Sequence, residues 1–189
     1  MKKISMALVG IGVCLSGVLF AQDTNTANHN VIIKIPNLAI LDLETTSSLD
    51  INLAGTNPTE AGLPIDFTNG TNSDLWLNYS SVIGSGVTSR NVKVKYTGTM
   101  PDGLALSVVA ASDAGGGAGN FGTPAAKFEL TETDQDIITS VGSCYTGDGA
   151  NKGHNLTYSL DLASGADYGD IRVDEAGETL VVTYTFIDS

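Results

Sequence analysis

Apolar and polar positions alternate at period two along much of this chain, most clearly at its end. In the run 179–187, Leu180, Val182, Tyr184 and Phe186 fall on one face, and Val181, Thr183, Thr185 and Ile187 on the other. The second face is entirely β-branched, and only the leucine is a strong helix former. This pattern predicts a strand that lies across a core and closes a sheet.

Other runs repeat the signal. Val31, Ile33 and Ile35 alternate with Ile32 and Lys34 until Pro36 interrupts, and a second apolar run resumes at Leu38. The segment 75–79 places Leu75, Leu77 and Tyr79 on one face and Trp76 with Asn78 on the other. In 90–96, Val92, Val94 and Tyr96 oppose Asn91, Lys93 and Lys95. The two lysines read as protection of an exposed sheet edge. Further short strands are expected at 48–53, 63–67, 104–110, 126–130, 137–141, 156–162 and 168–173. Segments 68–74, 112–122 and 147–153 are rich in Gly, Asn and Asp and read as turns or loops. Many short strands, and no convincing amphipathic helix, define an all-β chain, best read as an antiparallel Ig-like β-sandwich. Aromatics at 6% of residues are too sparse for the girdles of a membrane barrel.

The N-terminus adds an address. Lys2 and Lys3 precede an uncharged apolar run from Met6 to Phe20, and Ala21 offers a small residue before a polar segment. Residues 1–21 therefore read as a signal peptide, 22–30 as a flexible lead, and 31–189 as a single β-sandwich domain. The expected mature protein begins at Gln22. It is placed outside the inner membrane: extracellular, at the cell surface or in the periplasm. Removing Lys2 and Lys3 from the nine basic residues leaves seven against 21 acidic ones. So acidic a protein is a poor partner for nucleic acid. No later segment is long and apolar enough for a transmembrane helix. Cys144 is the one cysteine after the signal, so the mature chain forms no internal disulfide; the thiol is either a small buried side chain or a reactive group.

Chemistry is thinly represented. His29 lies in the lead and His154 in a Gly-rich stretch, and neither has metal-ligand spacing. No catalytic, cofactor-binding or metal-binding residue is assigned, and the chain is not expected to be an enzyme. A secreted hydrolase built on Cys144 and His154 is the most remote alternative. Ca²⁺ is the cation that the oxygen-rich stretches 147–151 and 167–170 would suit, although neither is a complete EF-hand loop. Trp76 and Asn78 are the candidate ligand or partner contacts. Pointing outward, Trp76 would serve as a sugar platform in a carbohydrate-binding module, or as a subunit contact; pointing inward, it is core.

The pieces 29–36 (HNVIIKIP), 75–80 (LWLNYS) and 153–160 (GHNLTYSL), with the Val-Thr-Tyr-Thr ending, resemble small exported β-sandwich proteins of Bacteroidota-type bacteria. The closing stretch 177–184 (GETLVVTY) more distantly resembles spore-coat-U-like and fimbrial subunits, although the chain lacks their cysteine pair. That resemblance implies an incomplete sandwich completed by a neighbour's N-terminal strand. Val31, Ile33 and Ile35, three apolar side chains at period two on a polar tether, form the candidate donor strand. The expected function is thus an exported structural or adhesion-type subunit, fimbria-like. Its partners would be other copies of itself or cell-surface components, with glycans as the alternative.

Overall fold

A computed structural model describes residues 25–67, 70–172 and 177–189. The expected signal peptide and the first residues of the lead lie outside the described residues. The chain divides after Lys34 into an N-terminal unit and the unit Ile35–Ser189. In the first, residues 25–34 have no regular strand, and Val31, Ile32 and Ile33 are exposed.

The second unit carries eleven strands among the described residues. They are β1 (Leu38–Glu44), β2 (Thr71–Val82), β3 (Arg90–Thr97), β4 (Leu104–Ala110), β5 (Ala118–Gly119), β6 (Thr123–Pro124), β7 (Phe128–Glu129), β8 (Gln135–Val141), β9 (Cys144–Tyr145), β10 (His154–Leu162) and β11 (Val181–Asp188). One sheet runs β1–β2–β10–β4–β7, with β9 and β5 extending it beside the far end of β2. The other runs β11–β3–β8–β6. All pairings are antiparallel, and the two sheets pack face to face as a β-sandwich.

Alternation explains the packing. Leu75, Leu77 and Tyr79 of β2 are 3%, 0% and 4% exposed, as the period-two reading requires. They meet Val92 and Val94 of β3 and Ile137 and Ile138 of β8 in one core. Two consecutive isoleucines are both buried because the β3–β8 register shifts around Val92, which breaks the alternation locally. Just before the β2–β10 pairing, which begins at His154, stands Gly153, whose φ is +64° and where a Cβ would lie 2.3 Å from the Leu77 carbonyl oxygen. Only glycine permits that approach.

Several expected strands are absent, for one shared reason. The stretch 48–53 has no strand, 63–67 contributes only the Asp66 bridge to Thr56, and 168–170 is a 3₁₀ turn. Their apolar residues serve burial without a paired neighbour: Ile51, Leu53, Ile65, Phe67 and Ile171 line the wall of a cavity. Segment 31–35 is likewise no strand, and the first strand begins after Pro36. The 126–130 strand shrinks to β7. The lysine reading is corrected as well. β3 is internal, between β11 and β8, and Lys93 and Lys95 pair with Asp136 and Asp134 at 2.9 and 3.3 Å.

Arg90 ties the two sheets together. It begins β3 in phase with Val92 and Val94, so alternation carries its charge inward, and it is only 3% exposed. Its Nε donates to Asp188 Oδ1 at 2.6 Å, and Nη1 donates to Ser81 Oγ at 2.9 Å and to the Leu38 carbonyl. Nη2 donates to Asn37 Oδ1. One guanidinium thus holds the start of β1, the end of β2 and the end of β11. Arg90→Ala should cost about 2–4 kcal/mol in urea unfolding, because buried acceptors lose their donor and the side-chain volume empties. Asp188→Asn, at a largely solvated carboxylate, should cost under about 1 kcal/mol. Equal losses in the two variants would show that the ion pair, rather than the set of buried acceptors, carries the effect.

Candidate functional site

β11 is the place where a sheet ends without protection. The Ser189 N–H donates to the Ser89 carbonyl at 3.0 Å, in the same register that pairs Val181 with Thr97 and Asp188 with Arg90. In an antiparallel ladder, bonded pairs recur every second residue. Thr183, Thr185 and Ile187 therefore bond to β3, and the N–H and C=O of Val182, Tyr184 and Phe186 point away from it. The Tyr96 N–H, opposite Val182, bonds outward to Thr131 at 3.1 Å, as this phase demands. No described residue pairs with the outer edge of β11.

The same three residues turn their side chains toward the core. Val182, Tyr184 and Phe186 are half-buried against it, whereas Val181 is 59% and Ile187 37% exposed. At the start of β11 lies an apolar cavity of about 440 Å³, walled by Leu180, Val182, Leu104, Leu106 and Tyr158 with the cover from 51–67. At its far end, Phe186 and Asp188 line a second hollow with Asn37 and Ala39 ahead of and within β1. Tyr158 donates to or accepts from Tyr184 across the sheets, Oη to Oη at 2.6 Å. Burial pushes the Tyr158 phenol up to about 12 and that of Tyr184 well above its ordinary value.

Other edges are guarded or, like the two-residue β5, short. β1 carries exposed Asp42 beside Glu44, with Pro36 just ahead. β6 is two residues long and ends in Pro124. β7 is also two residues, with Lys127 before it and Glu129 within it. From Val181 to Ile187, β11 has neither charge nor proline.

Of the residues singled out by sequence, Val31, Ile33 and Ile35 are 72%, 81% and 76% exposed. Trp76 is half-exposed on the outer face of β2, with Glu44 of β1 and Asn155 of β10 as its cross-strand neighbours. Asn78 shares that face but is 5% exposed, because the 147–153 loop folds over it and Gly149 accepts from its Nδ2 at 2.9 Å. Its role as a surface contact is corrected accordingly. Asp167 and Asp170 cap their own 3₁₀ turn. Among the described residues, no group of three His, Cys, Asp or Glu side chains gathers in a way that could hold a metal ion.

Sequence reasoning missed a buried polar cluster. His154 is 1% exposed, with Nδ1 2.8 Å from the Ala111 carbonyl and Nε2 2.7 Å from Tyr79 Oη. Tyr79 Oη also reaches the Phe121 carbonyl at 2.5 Å. The signal was present: Tyr79 is in phase with Leu75 and Leu77, and an inward phenol needs a polar partner. Cys144 is buried, and burial with the nearby Asp113 carboxylate pushes its thiol up to about 11. Burial pushes the His154 pKa down, while the Ala111 bond and Asp113 pull it back up.

No protein-family model, curated protein or solved structure matches the chain.

The His154 shift sets a pH dependence. Its folded pKa lies below the unfolded value of 6.5, so the folded state binds fewer protons. That contribution to stability is complete above pH 6.5 and is lost as pH falls toward the folded pKa. The urea midpoint should therefore drop as pH is lowered from 7 to 5, and His154→Gln should flatten part of that slope. An identical slope in the variant would remove the assignment.

Proposed function

We propose that this protein is an exported structural subunit of the cell surface, fimbria-like, that assembles with other copies of itself by strand addition. The observation that carries the reading is the open edge of β11: a strand with no charge or proline from Val181 to Ile187, whose outward backbone groups at Val182, Tyr184 and Phe186 have no partner among the described residues. Such an edge is a template for another strand unless something covers it. The same chain supplies a strand of matching character. Val31, Ile33 and Ile35 alternate at period two and are exposed.

A donor strand would bond to Val182, Tyr184 and Phe186 and seat its apolar side chains over the half-buried faces of the same residues. Burying three such side chains is worth roughly 5–8 kcal/mol before ordering costs, at about 1.5–3 kcal/mol each. Because donor and acceptor lie on different parts of the chain, the contact is heterologous, and successive additions run head to tail. The predicted signal peptide and the acidic charge support an extracytoplasmic setting for such a polymer.

Substituting Val31, Ile33 and Ile35 together by Ser should leave the unfolding midpoint of the monomer unchanged, since all three are exposed. The same variant should lose the multimers that mature protein forms at high concentration in size exclusion with light scattering. Val182→Pro, which removes one outward N–H, should weaken assembly from the acceptor side. Mature protein that stays strictly monomeric at every concentration would overturn the reading.

A further inference from the structure

We propose that His154 and Tyr79 form a proton-driven latch on the glycine-rich segment 112–122, in which a proton taken up at His154 Nε2 turns the Tyr79 hydroxyl from the imidazole to the Phe121 carbonyl. The argument is a count of hydrogens. Four groups stand in a row: the Ala111 carbonyl, the His154 ring, the Tyr79 hydroxyl and the Phe121 carbonyl, with contacts of 2.8, 2.7 and 2.5 Å. Both ends are carbonyls and can only accept. Three contacts need three hydrogens, and a neutral imidazole with a neutral phenol supplies two.

With His154 neutral as the Nδ1–H tautomer, Nδ1–H donates to Ala111 and the Tyr79 hydroxyl donates to bare Nε2. The Phe121 carbonyl then faces an oxygen lone pair. With His154 protonated, Nε2–H donates to Tyr79 Oη, and the hydroxyl hydrogen passes to Phe121. Every group in the row is then satisfied. The proton comes from solvent, and no covalent bond changes.

The two carbonyls flank the same surface segment, so the row sits at both of its ends. Between them, the segment is held by Ala114 N–H to Gly153 at 2.8 Å and by the short β5–β9 pairing. The charged and titratable groups around the row are few. Asp113 of the segment itself acts on His154, and its Oδ2 is buried without a hydrogen-bond partner. Cys144 of β9 acts on Tyr79, and Lys152 of the 147–153 loop lies against Gly116. From β11, Phe186 packs edge-on against Tyr79 at 5.2 Å and carries no charge. The unpaired Asp113 oxygen gives an imidazolium a negative neighbour, whereas burial delays the proton to the acid side of the ordinary histidine range.

The test is a pH titration of the mature protein by NMR, reading the His154 ring nitrogens and the Phe121 carbonyl carbon together. The Phe121 carbonyl shift should move with the same midpoint as His154 Nε2. In Tyr79→Phe, His154 should still titrate while the Phe121 carbonyl stays flat. A flat Phe121 carbonyl in the wild-type protein while His154 titrates would overturn the latch. So would a His154 that takes up no proton before the protein unfolds in acid. The wild-type titration decides the matter alone if the variant does not fold.

Discussion

A sheet that does not close into a barrel must end, and the backbone groups along its last strand need partners that the chain does not supply. The organisation of this sandwich follows from how it treats those ends. β6 and β7 are cut to two residues and flanked by proline or charge, and β1 exposes a carboxylate. β11 runs in unbroken register against β3 and carries no charge from Val181 to Ile187. Its inward side chains complete one wall of the core, with a cavity beside its start and a hollow beside its end. The strand thus serves the fold with one edge and offers the other.

The two buried polar features fix what lies around that strand. Arg90 anchors the far end of β11 through Asp188 and, through Asn37 and Leu38, the point where the chain enters β1. A single guanidinium therefore sets the spacing between the open strand and the first strand of the opposite sheet. His154 and Tyr79 sit deeper, stacked with ring centroids 5.4 Å apart, and reach the carbonyls on either side of a glycine-rich segment. In each case an ionisable or polar group enters the core in phase with apolar neighbours and is kept there by several acceptors.

Much of this was legible locally, because period two needs no tertiary information. β3 and β11 lie where alternation placed them and Leu75, Leu77 and Tyr79 point inward, although β2 already begins at Thr71, within the stretch 68–74 read as a turn. Pairing was not legible. Ile51, Leu53, Ile65 and Phe67 have the spacing of short strands yet cover a cavity as irregular chain, since a strand requires a neighbour and these have almost none. Lys93 and Lys95 suggested an edge, but Asp134 and Asp136 repeat their spacing and form the facing charges. Asn78 was expected at the surface and is buried by a loop more than 70 residues away, which no local pattern encodes. Arg90 could have been found as a charge in phase with Val92 and Val94.

The central claim is that the outer edge of β11 is an acceptor for another strand, and amide hydrogen exchange along β11 tests it residue by residue. In dilute protein, the amides of Thr183 and Thr185 should be protected by β3, and those of Val182, Tyr184 and Phe186 should exchange quickly. On concentration, the second set should become protected while the first is unchanged. Val182, Tyr184 and Phe186 amides that remain fast at every concentration would contradict the account.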